Sequence, residues 1–413
     1  MIVVGAGVVG TATALHLLSR GRRVLLLDRL PPGHGASFGN AGIIEASYAL
    51  PIKPPSAANI PAFFAGRLPA ARLRYPDGLR YVPWMLNLYA EARLDRRQRS
   101  GAQLWPLIAR ALAEHRTLMT GTAAEKYARP FTRLKIYRTQ ESFSASTPER
   151  QMAATLGIPF DVLDTAAARR LEPALQPVFH RAVHFPSTLQ LTSPGGVVDA
   201  YAKKFKQAGG GWAHGDIQAV SPAAGTGWDV ITATTTYHAA QVVLCTGAWT
   251  PELLKPLGCH FPMGVKRGYH RHFRLDGATL THSVSDVDIG YVMAPTELGV
   301  RLTTGAEFAD PDSPANPIQV EQALPYAKEL LPLSDAVEKD AWMGPRSCFA
   351  DSLPVIGAAP RHAGLWLNFG QGHLGMTLGP VTGRLLSEIM CGEKTFCDPA
   401  PYRPDRFGVT SRA

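Results

Sequence analysis

Short, continuously apolar runs alternate with glycine-rich turns and with longer stretches of helical spacing. Ile2-Val3-Val4 leads into Gly5-Ala6-Gly7-Val8-Val9-Gly10. Ala14, Leu15, Leu17 and Leu18 then form one inward stripe of a helix over Thr11 to Arg20, with Gly21 as its stop. Arg23 to Asp28 is nearly all apolar before its final acid, as expected of a strand buried on both faces. Strand, tight turn, helix and strand ending in an acid therefore follow one another within the first 28 residues.

Further on, residues 47–80 carry six prolines and predict loop rather than long helix. Helices are expected over Val82 to Leu94, Leu104 to Met119, and Ser146 to Leu156 with Ser146 or Thr147 as cap, and a strand over Arg133 to Arg138. Gly195 to Ala208 again has helical spacing, and Gly215 to Val220 with Gly227 to Thr234 reads as a small antiparallel meander. Gln241 to Ala248 is a buried strand breaking at Gly247, and Pro262 to Thr304 is strand-like with alternation at Tyr269 to Phe273 and Gly290 to Ala294. Leu365 to Phe369 is a last strand, followed by the turn Gly370 to Gly375 and a helix from Met376 to Met390. Dinucleotide-type elements thus lie at both ends and in the middle of the chain. The expected organisation is a discontinuous nucleotide domain (1–50, 185–255 and 340–413) with a second domain inserted in two pieces (51–184 and 256–339).

The glycines give this pattern a chemistry. Gly5 lets the chain turn sharply out of a strand, Gly7 lets the backbone approach a pyrophosphate, and Gly10 lets the helix lie against the sheet, with the positive helix end facing the diphosphate. Asp28 can accept hydrogen bonds from both ribose hydroxyls, and its charge disfavours a 2'-phosphate.

Composition narrows the classes. At 413 residues, 46% hydrophobic and 18% charged, the chain suits a two-domain globular enzyme rather than a disordered segment. Five cysteines without a CxxC pair, and histidines without ligand spacing, suggest free thiols in a reducing, cytoplasmic setting and no metal site. The glycine fingerprint occupies the apolar start, so a cleaved leader is not expected, and no apolar run has transmembrane length. The net charge of +9 is uneven: residues 67–116 hold ten arginines and four acids, interleaved with aromatics from Phe63 to Trp105. That mixture suits peripheral contact with an anionic inner-membrane surface, while a solvated helical face stays open beside it, and no nucleic-acid fold accompanies the charge.

Several segments together resemble one family. Gly35-Ala36-Ser37-Phe38-Gly39-Asn40-Ala41-Gly42, Val243 to Trp249, Trp342-Met343-Gly344-Pro345-Arg346, Asp351 to Gly357 and the Gly370 to Gly375 turn are similar to bacterial D-amino acid dehydrogenases. Those enzymes belong to the glycine oxidase and D-amino acid oxidase superfamily of flavoproteins. The resemblance implies an α/β protein with an α+β substrate domain: a Rossmann-like FAD-binding domain of the glutathione reductase type with an inserted antiparallel-sheet domain. It implies FAD as cofactor, held by Gly5, Gly7, Val8, Val9, Gly10, Asp28, Arg29, Ala36, Ser37, Asn40, Ala41, Gly42, Thr246, Gly247, Gly372, His373, Leu374, Gly375 and Met376. The helix start at Gly372 to Gly375 would set its positive end near the pyrimidine side of the flavin. Arg346 matches the family's carboxylate-binding arginine, since a guanidinium fork can take a carboxylate in two parallel hydrogen bonds.

Tyr269 and Tyr291 are expected to roof that cavity as further catalytic candidates, while His270 and His272 read as structural or cavity-lining. Two features depart from the pattern: the C-terminal turn reads Gly-Gln-Gly-His rather than Gly-His-Gly, and Cys348 lies near the position where the sarcosine oxidase branch attaches its flavin. A reduced core cysteine is the expectation for Cys348. The implied reaction is FAD-dependent oxidative deamination of a D-amino acid or a cyclic imino acid of the D-proline or hydroxyproline type, with electrons passed to quinone or another carrier. A secondary amine oxidase of the sarcosine or glycine oxidase kind using oxygen, an NAD-dependent dehydrogenase sharing only the fingerprint, and a flavin-binding electron-transfer subunit remain as alternatives.

Overall fold

In the computed structural model, which describes residues 1–408 apart from Ile52 and Phe131, the fingerprint forms the centre of a six-stranded sheet. Its strands run in the order Gly211–His214, Leu25–Asp28, Ile2–Val4, Val242–Leu244, Leu365–Phe369 and Val355–Ala358. The first five are parallel, and the edge strand Val355–Ala358 is antiparallel. The all-apolar runs have this cause: Val3, Val4, Leu26, Leu27, Val243 and Leu244 are all buried, because helices or the meander cover both faces. The helix begins at Val8 and ends at Leu18, earlier than its apolar stripe alone indicates, and packs against the Gly375–Met390 helix. Gly383 permits that approach, since a Cβ there would stand 2.8 Å from the Thr13 amide nitrogen.

The meander is present as Ile217–Pro222, Trp228–Thr232 and Thr236–Ala239. The inserted region is a mixed ten-stranded sheet in which Met263–Leu275 pairs with both Gly299–Phe308 and Trp342–Phe349. Most of its pairings are antiparallel, but Ser283–Asp286 runs parallel to Arg133–Tyr137. The Ile318–Leu330 helix packs on this sheet.

Two domain boundaries need correction. The strand Trp342–Phe349, assigned from sequence to the nucleotide segment 340–413, belongs to the large sheet. The Leu94–Met119 helix, assigned to the inserted region, buries Leu104, Leu107, Ile108, Ala111 and Leu118 in one core with Val3, Ala12 and Leu385 of the nucleotide domain. Its inward stripe has the expected 3–4 residue spacing, and the sequence does not say which surface that stripe meets. The proline-rich stretch contains a short helix, Ile60–Phe64, and a strand, Ala71–Leu73, that joins the sheet beside Ala306–Phe308.

Candidate active site

A continuous cavity of about 1150 Å³ runs from the first glycine turn to the large sheet. Its volume exceeds the roughly 300–1,000 Å³ usual for a small-molecule pocket, which leaves room for a dinucleotide and a small substrate together.

At the nucleotide end Gly5 has φ +102°, and a Cβ there would lie 2.5 Å from the Cys245 carbonyl oxygen. The two carboxylate oxygens of Asp28 accept from the Ala6 and Leu30 amides at 2.5 and 2.9 Å, while burial raises its pKa above the usual carboxylate range. Ser37 Oγ accepts from the Val8 amide at 2.9 Å and so caps the helix start, and the Asn40 side chain accepts from the Gly42 amide at 2.8 Å. Arg29 lies 4.5 Å over the Trp249 ring, and Thr246 bonds Thr250 at 2.9 Å.

Gly5, Gly7, Val8, Val9, Asp28, Arg29, Ala36, Ser37, Asn40, Ala41, Thr246, Gly247 and Gly372 to Met376 all line the cavity. Gly10 and Gly42 stand behind the wall. A Cβ on Gly10 would fall 1.8 Å from the Gly5 carbonyl oxygen, and one on Gly42 would fall 2.1 Å from that of Leu191. Their part is close packing of backbone, a correction to any direct contact with a cofactor. An aspartate bonded to the glycine-turn amide of Ala6, a capped helix start and a second helix start at Gly375 facing the same space are together the donor and acceptor set that FAD requires.

At the other end of the cavity Lys266 and Arg346 are register partners across antiparallel strands. Arg346 Nη1 donates to the Gly305 carbonyl at 2.8 Å, and its guanidinium covers Gly268, where a Cβ would lie 2.0 Å from Nη2. Neither cation has a carboxylate within ion-pair distance among the described residues. Burial lowers the pKa of both. His373 lies in the same wall with its ring 5.0 Å from that of Tyr48. Burial first, then Lys266, Arg346, Arg133 and Lys135, push its pKa down to about 3, so its imidazole is neutral at ordinary pH. Cys348 is a free, buried cysteine on the cavity wall, and burial raises its thiol pKa.

Tyr269 and Tyr291 stand at the expected cavity. Both border the cavity, but each commits its single hydroxyl donor elsewhere: Tyr269 to Glu307 at 2.5 Å and Tyr291 to the Tyr326 carbonyl at 3.2 Å. Strand alternation sends both toward the Ile318–Leu330 helix, with Arg267 and Glu307 paired at 2.6 Å on that side, and leaves Lys266, Gly268 and Arg346 facing the cavity. His270 and His272 lie outside the wall, in keeping with a structural part.

Sequence reasoning overlooked Lys266 and the charged side chains that continue the wall beyond His373. There Arg133 pairs with Glu45, and Lys135 pairs with Glu149 at 2.6 Å. The signal available was period-two alternation, which sets Lys266 beside Gly268 and Arg133 beside Lys135.

A family model described as DAO, FAD dependent oxidoreductase, matches residues 1–389. A D-amino acid dehydrogenase of Rhizobium johnstonii is 31% identical over 99% of this chain and 100% of its own length, and one from Allorhizobium ampelinum is 29% identical over 98% of each. Among solved structures, glycine oxidase from Geobacillus kaustophilus aligns with a TM-score of 0.74 at 23% identity over 98% of both chains. Iminodiacetate oxidase from Chelativorans sp. aligns at 0.71 and 21%, again over 98% of both. These likenesses agree with a nucleotide-binding domain carrying a sheet domain.

Proposed function

This chain belongs to the DAO family of FAD-dependent oxidoreductases, and from that premise we infer that it is an FAD-dependent D-amino acid dehydrogenase. The observation that carries the substrate assignment is a half-buried guanidinium, Arg346, without an acidic partner among the described residues, in the same cavity as the nucleotide cradle.

When bound, FAD supplies the two-electron acceptor for a hydride from the substrate's α-carbon. Arg346 takes the substrate carboxylate in its fork and fixes the α-carbon's position. Lys266 adds a second positive charge to that end, and the two cations together favour the neutral form of a substrate amine, as like charges do. His373, being neutral, adds no competing charge. The large sheet and the Gly372 to Met376 turn enclose this end, which limits water and strengthens each charge interaction. The imine product leaves and is hydrolysed to a 2-oxo acid and ammonia, or stays cyclic when the substrate is an imino acid.

The test is dye-linked oxidation across D-, L- and N-substituted amino acids with peroxide followed in parallel. Turnover of D-amino acids with dye and without peroxide is the expected result. Preference for N-methyl substrates with peroxide release would replace this reading by the glycine oxidase-like alternative.

For the electron acceptor we propose a membrane quinone, reached by peripheral contact. No helix among the described residues is long and apolar enough to cross a membrane. The supporting observation is the surface of the Gly78–Glu91 helix, and the aromatics concerned differ from those expected. Phe63, Tyr81 and Trp84 are buried, whereas Phe64, Tyr75, Leu79, Val82 and Leu86 are exposed.

A further inference from the structure

Behind the cavity wall four polar side chains connect the large sheet to the cofactor loop. Arg301 and His272 are cross-strand neighbours on Gly299–Phe308 and Met263–Leu275, and both are buried. Arg301 Nε donates to His272 Nε2 at 2.9 Å, while its Nη1 donates to the Phe38 carbonyl at 3.0 Å and to the Asn40 carbonyl. Glu338 accepts from His272 Nδ1, and its other oxygen accepts from the His272 amide at 3.0 Å. His270 stacks 5.0 Å from Trp342, whose ring fills the space over Gly39, where a Cβ would lie 1.8 Å from it.

We propose that Arg301, oriented by His272 and Glu338, is a positioning residue for the cofactor: it fixes the loop Gly35 to Gly42 from the substrate sheet. The inference rests on the FAD reading above. Three arguments support it. A buried guanidinium is costly unless its donors are used, and here Nε goes to His272 and Nη1 to two carbonyls of a loop in the other domain rather than to a neighbouring carboxylate. That loop carries Ser37, which caps the Val8 amide, and Asn40 and Ala41, which line the cavity, so its position sets part of the nucleotide wall. The relay also has only one consistent proton arrangement: Arg301 donates to Nε2, so the Nδ1 proton must go to Glu338. Burial and the charge on Arg301 lower the His272 pKa against the opposing pull of Glu338, which agrees with a neutral ring. Burial brings Arg301 to about 10, still charged at ordinary pH.

The experiment is FAD release from diluted holoenzyme, followed by the rise of flavin fluorescence, in wild type, Arg301→Gln, Arg301→Lys and Glu338→Gln. Losing hydrogen bonds from a charged donor should speed release about 10- to 100-fold in Arg301→Gln. Arg301→Lys should recover part of the retention, and Glu338→Gln should show a smaller acceleration. With excess FAD present, the substrate KM of each variant should stay within about twofold of wild type, because none of these residues faces the substrate end. Release rates matching wild type in both Arg301→Gln and Glu338→Gln would overturn the proposal. So would a raised KM with unchanged release, which would assign the cluster to the sheet alone. Should Arg301→Gln fail to fold, Glu338→Gln decides the matter, because that carboxylate is partly exposed and its loss is tolerable. A colourless wild-type protein would overturn the FAD reading itself, and is seen in the absorption spectrum before any dilution.

Discussion

Lys266 and Arg346 stand opposite one another on adjacent antiparallel strands, two half-buried cations on one cavity wall with no carboxylate to neutralise them among the described residues. Such a pair is costly in an empty protein and favourable once an anion lies between them. Arg346→Ala should therefore lower kcat/KM by about 2–5 kcal/mol, a fall on the order of 30- to 5,000-fold. Arg346→Lys should recover only a minor part, because it keeps the charge and loses the fork. Dye-linked steady-state kinetics check both, and an Arg346→Ala enzyme with wild-type kcat/KM on its best substrate would remove the carboxylate assignment.

Gly268 lies beneath the Arg346 guanidinium, so its missing side chain is part of the site. In Gly268→Ala the new methyl would meet Nη2 at 2.0 Å and push the guanidinium aside. The backbone at Gly268 has no positive φ, so the fold should tolerate the change, with a melting temperature within about 5 °C of wild type. KM should rise about tenfold or more, as expected when a binding group shifts by an ångström or so. An unchanged KM would mean that the arginine has another productive position.

Asp28 receives the Ala6 and Leu30 amides, one on each oxygen. In Asp28→Asn one of those donors would face an NH2 group, and the acceptor for a ribose hydroxyl would lose its charge. The expected loss is about 1–3 kcal/mol in FAD affinity, read by titrating FAD into apoprotein and following quenching of flavin fluorescence. Equal affinity would show that the adenosine end is held elsewhere.

The nucleotide cradle was legible because its chemistry is local: the turn, the helix start and Asp28 fall within 28 consecutive residues and need no knowledge of the fold. The substrate end was legible only where a motif carried it, at Arg346. Its neighbour Lys266 lies 80 positions away along the chain and joins it only through sheet pairing. Tyr269 borders the cavity as its strand position indicates, but the acceptor of its hydroxyl, Glu307, lies 38 positions away along the chain and meets it only through the pairing of Met263–Leu275 with Gly299–Phe308. The Leu94–Met119 helix shows the same limit in another form, since an apolar stripe predicts burial without naming the surface it meets.

Buried neutral imidazoles set the acid limit of stability. Burial lowers His115 to about 4 and His16 to about 3, and His373 is lowered likewise. A folded pKa below the unfolded value of about 6.5 means that the stability is fully present above that pH. It is lost as pH falls from about 6.5 toward the folded values, at up to about 1.4 kcal/mol per pH unit for each group. His115 is the cleanest probe, since it bonds the Met376 carbonyl and the Tyr201 hydroxyl at 2.7 and 2.9 Å and has no carboxylate partner among the described residues. Urea unfolding between pH 7 and 5 should show a steep loss of stability in wild type. The slope should be shallower by about one proton in His115→Gln, and identical slopes would exclude this residue as a source of the acid sensitivity.

The Gly78–Glu91 helix has two apolar stripes, and only one is used inside the protein. Tyr81, Trp84 and Leu88 pack inward, with Trp84 donating to the Cys348 carbonyl beside the cavity wall. Leu79, Val82 and Leu86 point outward at 88, 47 and 66% exposure, and Phe64 and Tyr75, joined by a hydrogen bond, extend the patch. Exposed arginines at 67, 80, 93 and 99 lie in the same stretch. Aliphatic and aromatic side chains accompanied by arginines suit the boundary of an anionic lipid surface, where the rings and alkyl groups enter and the guanidinium groups meet phosphate. Holoenzyme should co-sediment with vesicles containing anionic lipid. The triple variant Leu79→Ser, Val82→Ser, Leu86→Ser should lose most of that binding, about tenfold or more for three buried side chains, while its dye-linked activity in solution stays near wild type. Equal vesicle binding by the variant would remove this face from the proposal. A patch-dependent dimer in light scattering, without vesicle binding, would assign the surface to a second copy of the chain instead.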